Sequence, residues 1–385
     1  MRRLLNPFVL VLTAILAGAY AYLAWRLASG MLARLALATP FLLIWLVPVI
    51  YWMGERDSGG AADELLHFAA YLCMGWLNFA LLLSLGRDAL LLATAGPAQL
   101  ASVHAFLLES GVPAAIGGAF VALAAGSLAA LRGPHLRRVD IPIEGLDPAL
   151  EGLRIVQITD LHVGPTIRAA YVRRVVRMAN ELAPDLVALT GDLVDGSVAR
   201  LARHVAPLAE LRPAGRAFFV PGNHEYYSGA AQWIAHFRSL GLRVLLNEHA
   251  ALSVRGARIV VGGVLDPAAR ASGPGQVPRP DLAAGRDEGR ALRLLLAHNP
   301  KLAPLAEAAG FDLQLSGHTH AGQFFPWTLA VHLVHAPHVA GLSRSGRMWV
   351  YVSAGTGTWG PPVRFGSEPE LTLVRLVRAQ ARHAE

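Results

Sequence analysis

The sequence predicts an α/β domain of alternating buried strands and helices, preceded by an all-α transmembrane bundle of about four helices. Three observations predict it. Hydrophobic residues make up 54% of the 385 residues and charged residues only 16%, which is more apolar than an ordinary soluble enzyme. The apolar excess lies in long uncharged runs before Arg132. After Arg132 the rhythm changes to short β-branched runs of strand length, with helical spacing between several of them.

The membrane part comes first. Leu4–Trp25 and Leu35–Met53 carry no charge, nor do Leu65–Leu85 and Val112–Leu131 with histidine neutral. Each has about the 20 residues that cross a bilayer as a helix. Four such runs in succession argue against a set of buried core helices. The first run has the basic start and small-residue end of a signal peptide. Three further spans follow it, and we read it as uncut. Ala89–Leu108 contains Pro97, Gln99, Ser102 and His104 and reads as a re-entrant or interfacial segment; as a fifth span it would reverse the orientation. Arg2, Arg3, Arg56, Arg132, Arg137 and Arg138 fall on one side of a four-span arrangement, against Arg26, Arg34 and Arg87 on the other. By arginine placement the carboxyl-terminal part faces the cytoplasm, on a multi-pass protein of the inner (cytoplasmic) membrane. The spans themselves show no paired buried charges. The single cysteine, Cys73, excludes an intramolecular disulfide and leaves the compartment open. The net charge of +7 suits an anionic lipid surface or a phosphorylated substrate, and arginine-heavy composition produces it equally well.

Domain boundaries follow: a transmembrane region over 1–132, a linker with an edge strand over 133–152, and a second domain over 153–385. "RRVDIPI" reads as the edge strand. "LRIVQITD", "DLVALTGD", "AFFVPGN", "LRVLLNE", "ARIVVGGV", "RLLLAHNP", "FDLQLSGH", "MWVYVSAG" and "ELTLVRL" read as buried strands. Between them, Tyr171, Val175, Met178 and Leu182 share one helical face. "ARLARHVAPLAEL", "GAAQWIAHFRSLG" and "KLAPLAEAAG" supply further helices. This alternation predicts parallel pairing in the first half. The closing strands lack helices between them and predict a second, mixed sheet. Leu265–Gly289, rich in Pro, Gly and Arg, reads as a long loop.

The polar residues of interest follow strands: Asp160 and His162, Asp192 and Asp195, Asn223 and His224, His298, then His318 and His320. Strand carboxyl ends converge in open α/β sheets, so these fragments are expected to meet. Taken singly, "DLH" or "TGD" is more often a turn or a helix cap. The spacing of "GHTH" and the grouping in "GNHE" are harder to explain by folding alone. Carboxylate, amide and imidazole without thiolate suit Mn²⁺, Fe²⁺ or Zn²⁺. The donors are too many for one ion and fit two ions about 3.5–4 Å apart. Gly191, Gly222 and Gly317 give the backbone room to come close.

In this order, D-x-H, G-D-x-x-D, G-N-H-E, a later His and G-H-x-H resemble the calcineurin-like metallophosphoesterase superfamily, in its bacterial membrane-attached branch. The likeness runs from Leu153 to Leu376 and includes "AHNP", "GHTHAGQ" and "GTGTWGPPVRFGSEPELTLVRL". The branch more often has glycine where this chain has Ala321. The resemblance implies a four-layer αββα sandwich and hydrolysis of a phosphate mono- or diester by a hydroxide bridging two metals. It implies Asp160, His162 and His320 on one metal, Asn223, His298 and His318 on the other, and Asp192 on both. It further implies that His224 faces the phosphate and assists the leaving group, oriented by Asp195.

A phosphoester substrate and a lipid bilayer are the expected partners, with a phospholipid among the candidate substrates. Nucleic acid is not expected, since no basic patch interleaved with aromatics stands out. The alternative is a membrane sensor or transport protein with a regulatory metal-binding domain. "GTGTWG" is neither a Walker nor a Rossmann sequence and reads as a loop near the site. Arg364 is a candidate contact to substrate phosphate. His332, His335 and His338 read as a surface loop, with the substrate entrance as the other possibility.

Overall fold

The computed structural model describes residues 7–46, 60–285 and 291–379. The chain divides into two compact units, Met1–Leu131 with Gly360–Val363, and Arg132–Trp359 with Arg364–Glu385.

The first unit contains α1 (Pro7–Leu27), α2 (Met31–Leu46), α3 (Ala61–Thr94) and α4 (Ala101–Leu131). Three of them, α1, α3 and α4, are long and apolar enough to cross a membrane, and α2 is shorter at 16 residues. The second expected span runs past Leu46 into residues outside the described set, as do Arg2, Arg3 and Arg56. Two expectations are corrected. Ala89–Leu108 is no element of its own: Ala89–Thr94 continues α3, Ala98–Leu100 forms one 3₁₀ turn, and the rest opens α4. Pro97, which lacks an N–H, begins that turn and separates the two long helices. The helices also carry paired charges. Arg26 of α1 pairs with Asp88 of α3, Tyr22 Oη donates to Asp88 at 2.8 Å, and Arg87 lies 3.4 Å from the same carboxylate. The uncharged runs stop at Trp25 and Leu85, just short of these residues, because hydropathy ends a span where the helix itself continues.

The second unit is built on two six-stranded sheets. The first contains β1 (His135–Ile143), β2 (Arg154–Ile158), β3 (Leu186–Leu189), β4 (Ala217–Phe219), β5 (Arg243–Val244) and β12 (Glu370–Arg378), in the order β1-β12-β2-β3-β4-β5. Strands β2 to β5 are parallel, and β12 runs antiparallel to β2. The second contains β6 (Glu248–Val254), β7 (Ala257–Gly263), β8 (Leu292–Leu296), β9 (Leu313–Ser316), β10 (Gly341–Ser345) and β11 (Met348–Val352), in the order β10-β11-β9-β8-β7-β6. It is mixed, with antiparallel pairs at both edges.

Side-chain alternation builds the layers. Ile155, Ala188, Phe218, Ile259, Leu294, Leu315 and Val374 point between the sheets. Val156, Ile158, Val187 and Leu189 point outward onto α5 (Ala169–Glu181), α6 (Val198–Val205) and α8 (Ala230–Ser239), through Val172, Val175, Leu201, Trp233 and Phe237. Leu295 and Val350 of the second sheet point the other way, onto α10 (Ala303–Ala308). Strands buried on both faces explain why the sequence reads as unbroken apolar runs. The result is the expected αββα sandwich. The buried stripe of α5 is Val172, Val175, Val176 and Ala179. Tyr171, Met178 and Leu182 flank it, so the expected face is rotated by about one residue. Leu265–Gly289 holds a 3₁₀ turn at Pro267–Ser272 and the short α9 (Pro280–Ala283), and is described to Gly285.

Candidate metal centre

The loops that leave β2, β3, β4, β8 and β9 at their carboxyl ends carry the nine residues singled out above. Short hydrogen bonds lace the loops together. Asp160 N donates to Gly191 O at 3.0 Å and His162 N to Asp192 O at 3.1 Å. Asp160, His162, Asp192, His318 and His320 all hold φ between 50° and 75°. This left-handed backbone costs a non-glycine residue about 1–3 kcal/mol and persists only where the surroundings impose it. Here it turns five polar side chains inward. Close approach also demands glycine. A Cβ on Gly222 would meet Asp192 N at 2.7 Å, and one on Gly317 would collide with the Asp160 carboxylate.

Two groups of donors result. Asp160, His162 and His320 form one, and Asp192, His298 and His318 the other; a third grouping of His162, Asp192 and His224 joins them. His320 Nε2 lies 3.3 Å from Asp160 Oδ1 and 2.9 Å from His162 Nε2. His298 Nε2 lies 3.1 Å from Asp192 Oδ2, 3.2 Å from Asn223 Oδ1 and 3.2 Å from His318 Nδ1. The expected cage of scattered fragments therefore closes on itself.

Protonation fits metal ligation at Asp160, Asp192, His318 and His320 and not at His298, where the Asp192 carboxylate overcomes burial and holds the imidazole well above its usual range. Burial alone would raise the Asp160 and Asp192 carboxyls, but the facing imidazoles, His320 and His298 foremost, hold both below the usual range. Burial pushes His318 down to about 3 and His320 down to about 4. Ionised carboxylate and neutral imidazole are the ligating forms. Outer partners set the tautomers as ligands require. His162 Nδ1 faces Asp195 Oδ1 at 2.9 Å and His298 Nδ1 faces Thr190 O at 2.8 Å, leaving each Nε2 aimed at the centre. Oxygen and imidazole without sulfur match Mn²⁺, Fe²⁺ or Zn²⁺.

Asp195 has more to do than expected. The oxygen that faces His162 also faces His224 Nδ1, at 2.6 Å. Burial opposes charge on His224, but the carboxylates of Asp195 and Asp192 prevail and raise it to about 9. His224 Nε2 lies 4.0 Å from Asp192 Oδ2, within the third donor group.

Sequence reasoning passed over Glu225, which is fully buried. It accepts from Asp192 N at 2.9 Å, Leu193 N at 2.7 Å and Gly222 N at 2.7 Å, tying the β3 and β4 loops together. Burial, with Asp192 adding to it, raises this carboxyl to about 8. Its position three residues after Gly222, as in a capping box, was the available signal. Glu225→Ala orphans three buried donors at about 1–3 kcal/mol each, so a loss of about 3–6 kcal/mol is expected by thermal unfolding, and less for Glu225→Gln. A change under about 1 kcal/mol would show that the loops do not depend on it.

Arg364 is corrected from a phosphate contact to a brace. It is 1% exposed and donates through Nη1 to His320 O at 3.0 Å and through Nη2 to Gly357 O at 2.6 Å, while its buried Nε has no partner among the described residues. The surface loop expected at His332, His335 and His338 is instead mostly α11 (Trp327–His335). Its last residue, His335, sets its ring 5.3 Å from that of His318. His338 turns aside to Ser343. "GTGTWG" does lie beside the centre: Thr356 N donates to Thr159 O, and the Trp359 ring is 5.9 Å from His224.

Residues 153–322 match the family model described as calcineurin-like phosphoesterase. A zebrafish (Danio rerio) transmembrane protein with metallophosphoesterase domain is 38% identical over 265 residues, covering 66% of this chain and 60% of that protein. A metallophosphoesterase of Helicobacter pylori strain J99 is 36% identical over 246 residues, 63% of this chain and 64% of that one. One of Aquifex aeolicus is 33% identical over 262 residues, 67% of this chain and 98% of its own length. The chain spans about 60% of the length of the first of these relatives.

Proposed function

Because this chain belongs to the calcineurin-like phosphoesterase family, we propose that it is a membrane-bound phosphoesterase that uses two divalent cations to hydrolyse a phosphate mono- or diester. The observation that supports this best is Asp192, which takes part in two donor groups at once. We assign Asp160, His162 and His320 to one cation, Asn223, His298 and His318 to the other, and Asp192 to both. Two cations, when bound, neutralise phosphate charge and lower the pKa of water toward neutrality. The protein's own contribution is positional. Asp195 holds His224 with Nδ1 inward, leaving Nε2 to donate to the departing oxygen. Water oxygen bonds to phosphorus and releases a proton to solvent, the phosphorus–oxygen bond to the leaving group breaks, the His224 proton goes to that oxygen, and His224 regains a proton from solvent.

The test is a panel of phosphate mono- and diesters given to the detergent-purified full chain, stripped by chelator and reloaded with Mn²⁺, Fe²⁺ or Zn²⁺. Stripping is expected to abolish turnover by about 10³-fold or more, roughly 4 kcal/mol of barrier, and reloading to restore it. Hydrolysis that survives stripping would refute the assignment.

We further propose that the helical unit is a multi-pass anchor in the inner membrane and that the catalytic unit faces the cytoplasm, supported by the arginine distribution. Glu181 is exposed on α5. In a Cys73→Ala background, Glu181→Cys should react with an impermeant maleimide only after spheroplasts are lysed; labelling of intact spheroplasts would reverse the orientation. The Arg26–Asp88 pair is the observation that favours the alternative, a sensing or transport role. The hydrolase is preferred because every donor position is filled.

A further inference from the structure

Helix α11 is built unlike the other helices of its unit. None of its nine residues is buried. Leu329 is 63% exposed, Leu333 92% and Val334 57%. Grouped apolar exposure of this kind marks a binding surface more often than an accident. The helix is anchored at the metal centre, since His335 packs against His318. On the other flank stands Trp359, 37% exposed and edge-on to His224. Gln323 holds the two flanks together: its Nε2 donates to Trp359 O and its Oε1 accepts from Trp359 N, both at 2.8 Å. The helix and the indole thus each touch the candidate centre, α11 through His335 beside His318 and Trp359 beside His224.

Building on the phosphoesterase reading, we propose that the substrate is a lipid phosphoester. Its phosphate enters the metal centre, and its alkyl or acyl chain lies along Trp359 and the outward side chains Leu329, Leu333 and Val334 of α11. A water-soluble ester would leave this surface bare. A chain with its own membrane helices has an amphiphilic substrate at hand, and an indole beside the centre suits both the apolar chain and the polar head.

The experiment uses p-nitrophenyl alkyl phosphates with alkyl groups from methyl to octyl, below their micelle concentrations, on the full-length, Mn²⁺-loaded protein. The reacting bond stays constant and only the chain grows. A fully buried methylene would contribute about fourfold in binding and a half-buried one about twofold. An increase in kcat/KM of about 10²-fold from methyl to octyl is therefore expected. Leu329→Ser with Leu333→Ser should flatten that dependence; both side chains face solvent, so folding does not rest on them. A flat dependence in a protein that hydrolyses the methyl ester would overturn this proposal and leave the phosphoesterase reading standing. An undiminished dependence in the double variant would overturn the placement on α11. Failure to hydrolyse any of these diesters with metal bound would overturn this proposal, and the phosphoesterase reading would fall with it only if the monoester p-nitrophenyl phosphate is left intact as well.

Discussion

Asp192→Asn is expected to lose bound metal and turnover together, with kcat/KM falling by about 10³-fold or more, roughly 4 kcal/mol. Asp192 Oδ2 stands 3.1 Å from His298 Nε2, 3.9 Å from His162 Nε2 and 4.0 Å from His224 Nε2. No other acidic side chain takes part in more than one donor group among the described residues. The amide keeps the shape but removes the charge that balances the cations, and its NH₂ cannot ligate. The fold should survive. The isosteric amide can still accept from His224 N at Oδ1, although it forfeits the attraction to His298 that holds the Asp192 carboxyl low. Metal content by elemental analysis, kcat/KM and thermal unfolding measured on one preparation decide the matter. A folded variant that binds two metals and turns over normally would remove the shared-carboxylate assignment.

His224→Ala should behave differently. It is expected to keep its metal and lose about 10²–10⁴-fold in kcat, the usual contribution of a positioned acid. Asp195 loses one partner in this variant but keeps His162 at 2.9 Å, so the imidazole assigned to the metal stays oriented. The decisive readout is the leaving group. With p-nitrophenolate, which departs unaided, the loss should be small; with an alkoxide of high pKa it should approach the full range. A purely structural histidine would impair both esters equally, and a metal ligand would deplete the metal. Either result would take His224 out of the proton-donor role.

Much of the site was legible because its chemistry demands rare residue types at fixed places. Asp160, Asp192, Asn223, His298 and His320 each follow an apolar run, and strand ends converge whatever the details of packing. Glu225 escaped notice because its three bonds are to backbone amides of two loops, and no spacing reveals which amides will lie near it. Arg364 was misread for a related reason: an arginine near a phosphate site suggests a ligand contact, and only the packing shows it buried with both terminal nitrogens on backbone carbonyls. Edge strands β6 and β10 were missed because they are largely solvated, so they lack the continuous apolar run of strands covered on both faces. Helix α11 was read as a loop because Pro337 and the spaced histidines drew attention from the helical spacing of Trp327–His335.

The sequence by itself determined the two-part organisation, the mixed α/β class and the candidate donors. Those properties follow from local apolar periodicity and side-chain chemistry, which need no neighbours to be read. The tertiary structure alone decided that one oxygen of Asp195 serves both His162 and His224, that Asp88 pairs with Arg26, and that an apolar helix stands beside the metal centre. These depend on residues far apart in the chain meeting within a few ångströms, and contact over such separations is set by how layers pack, which no short stretch of sequence encodes.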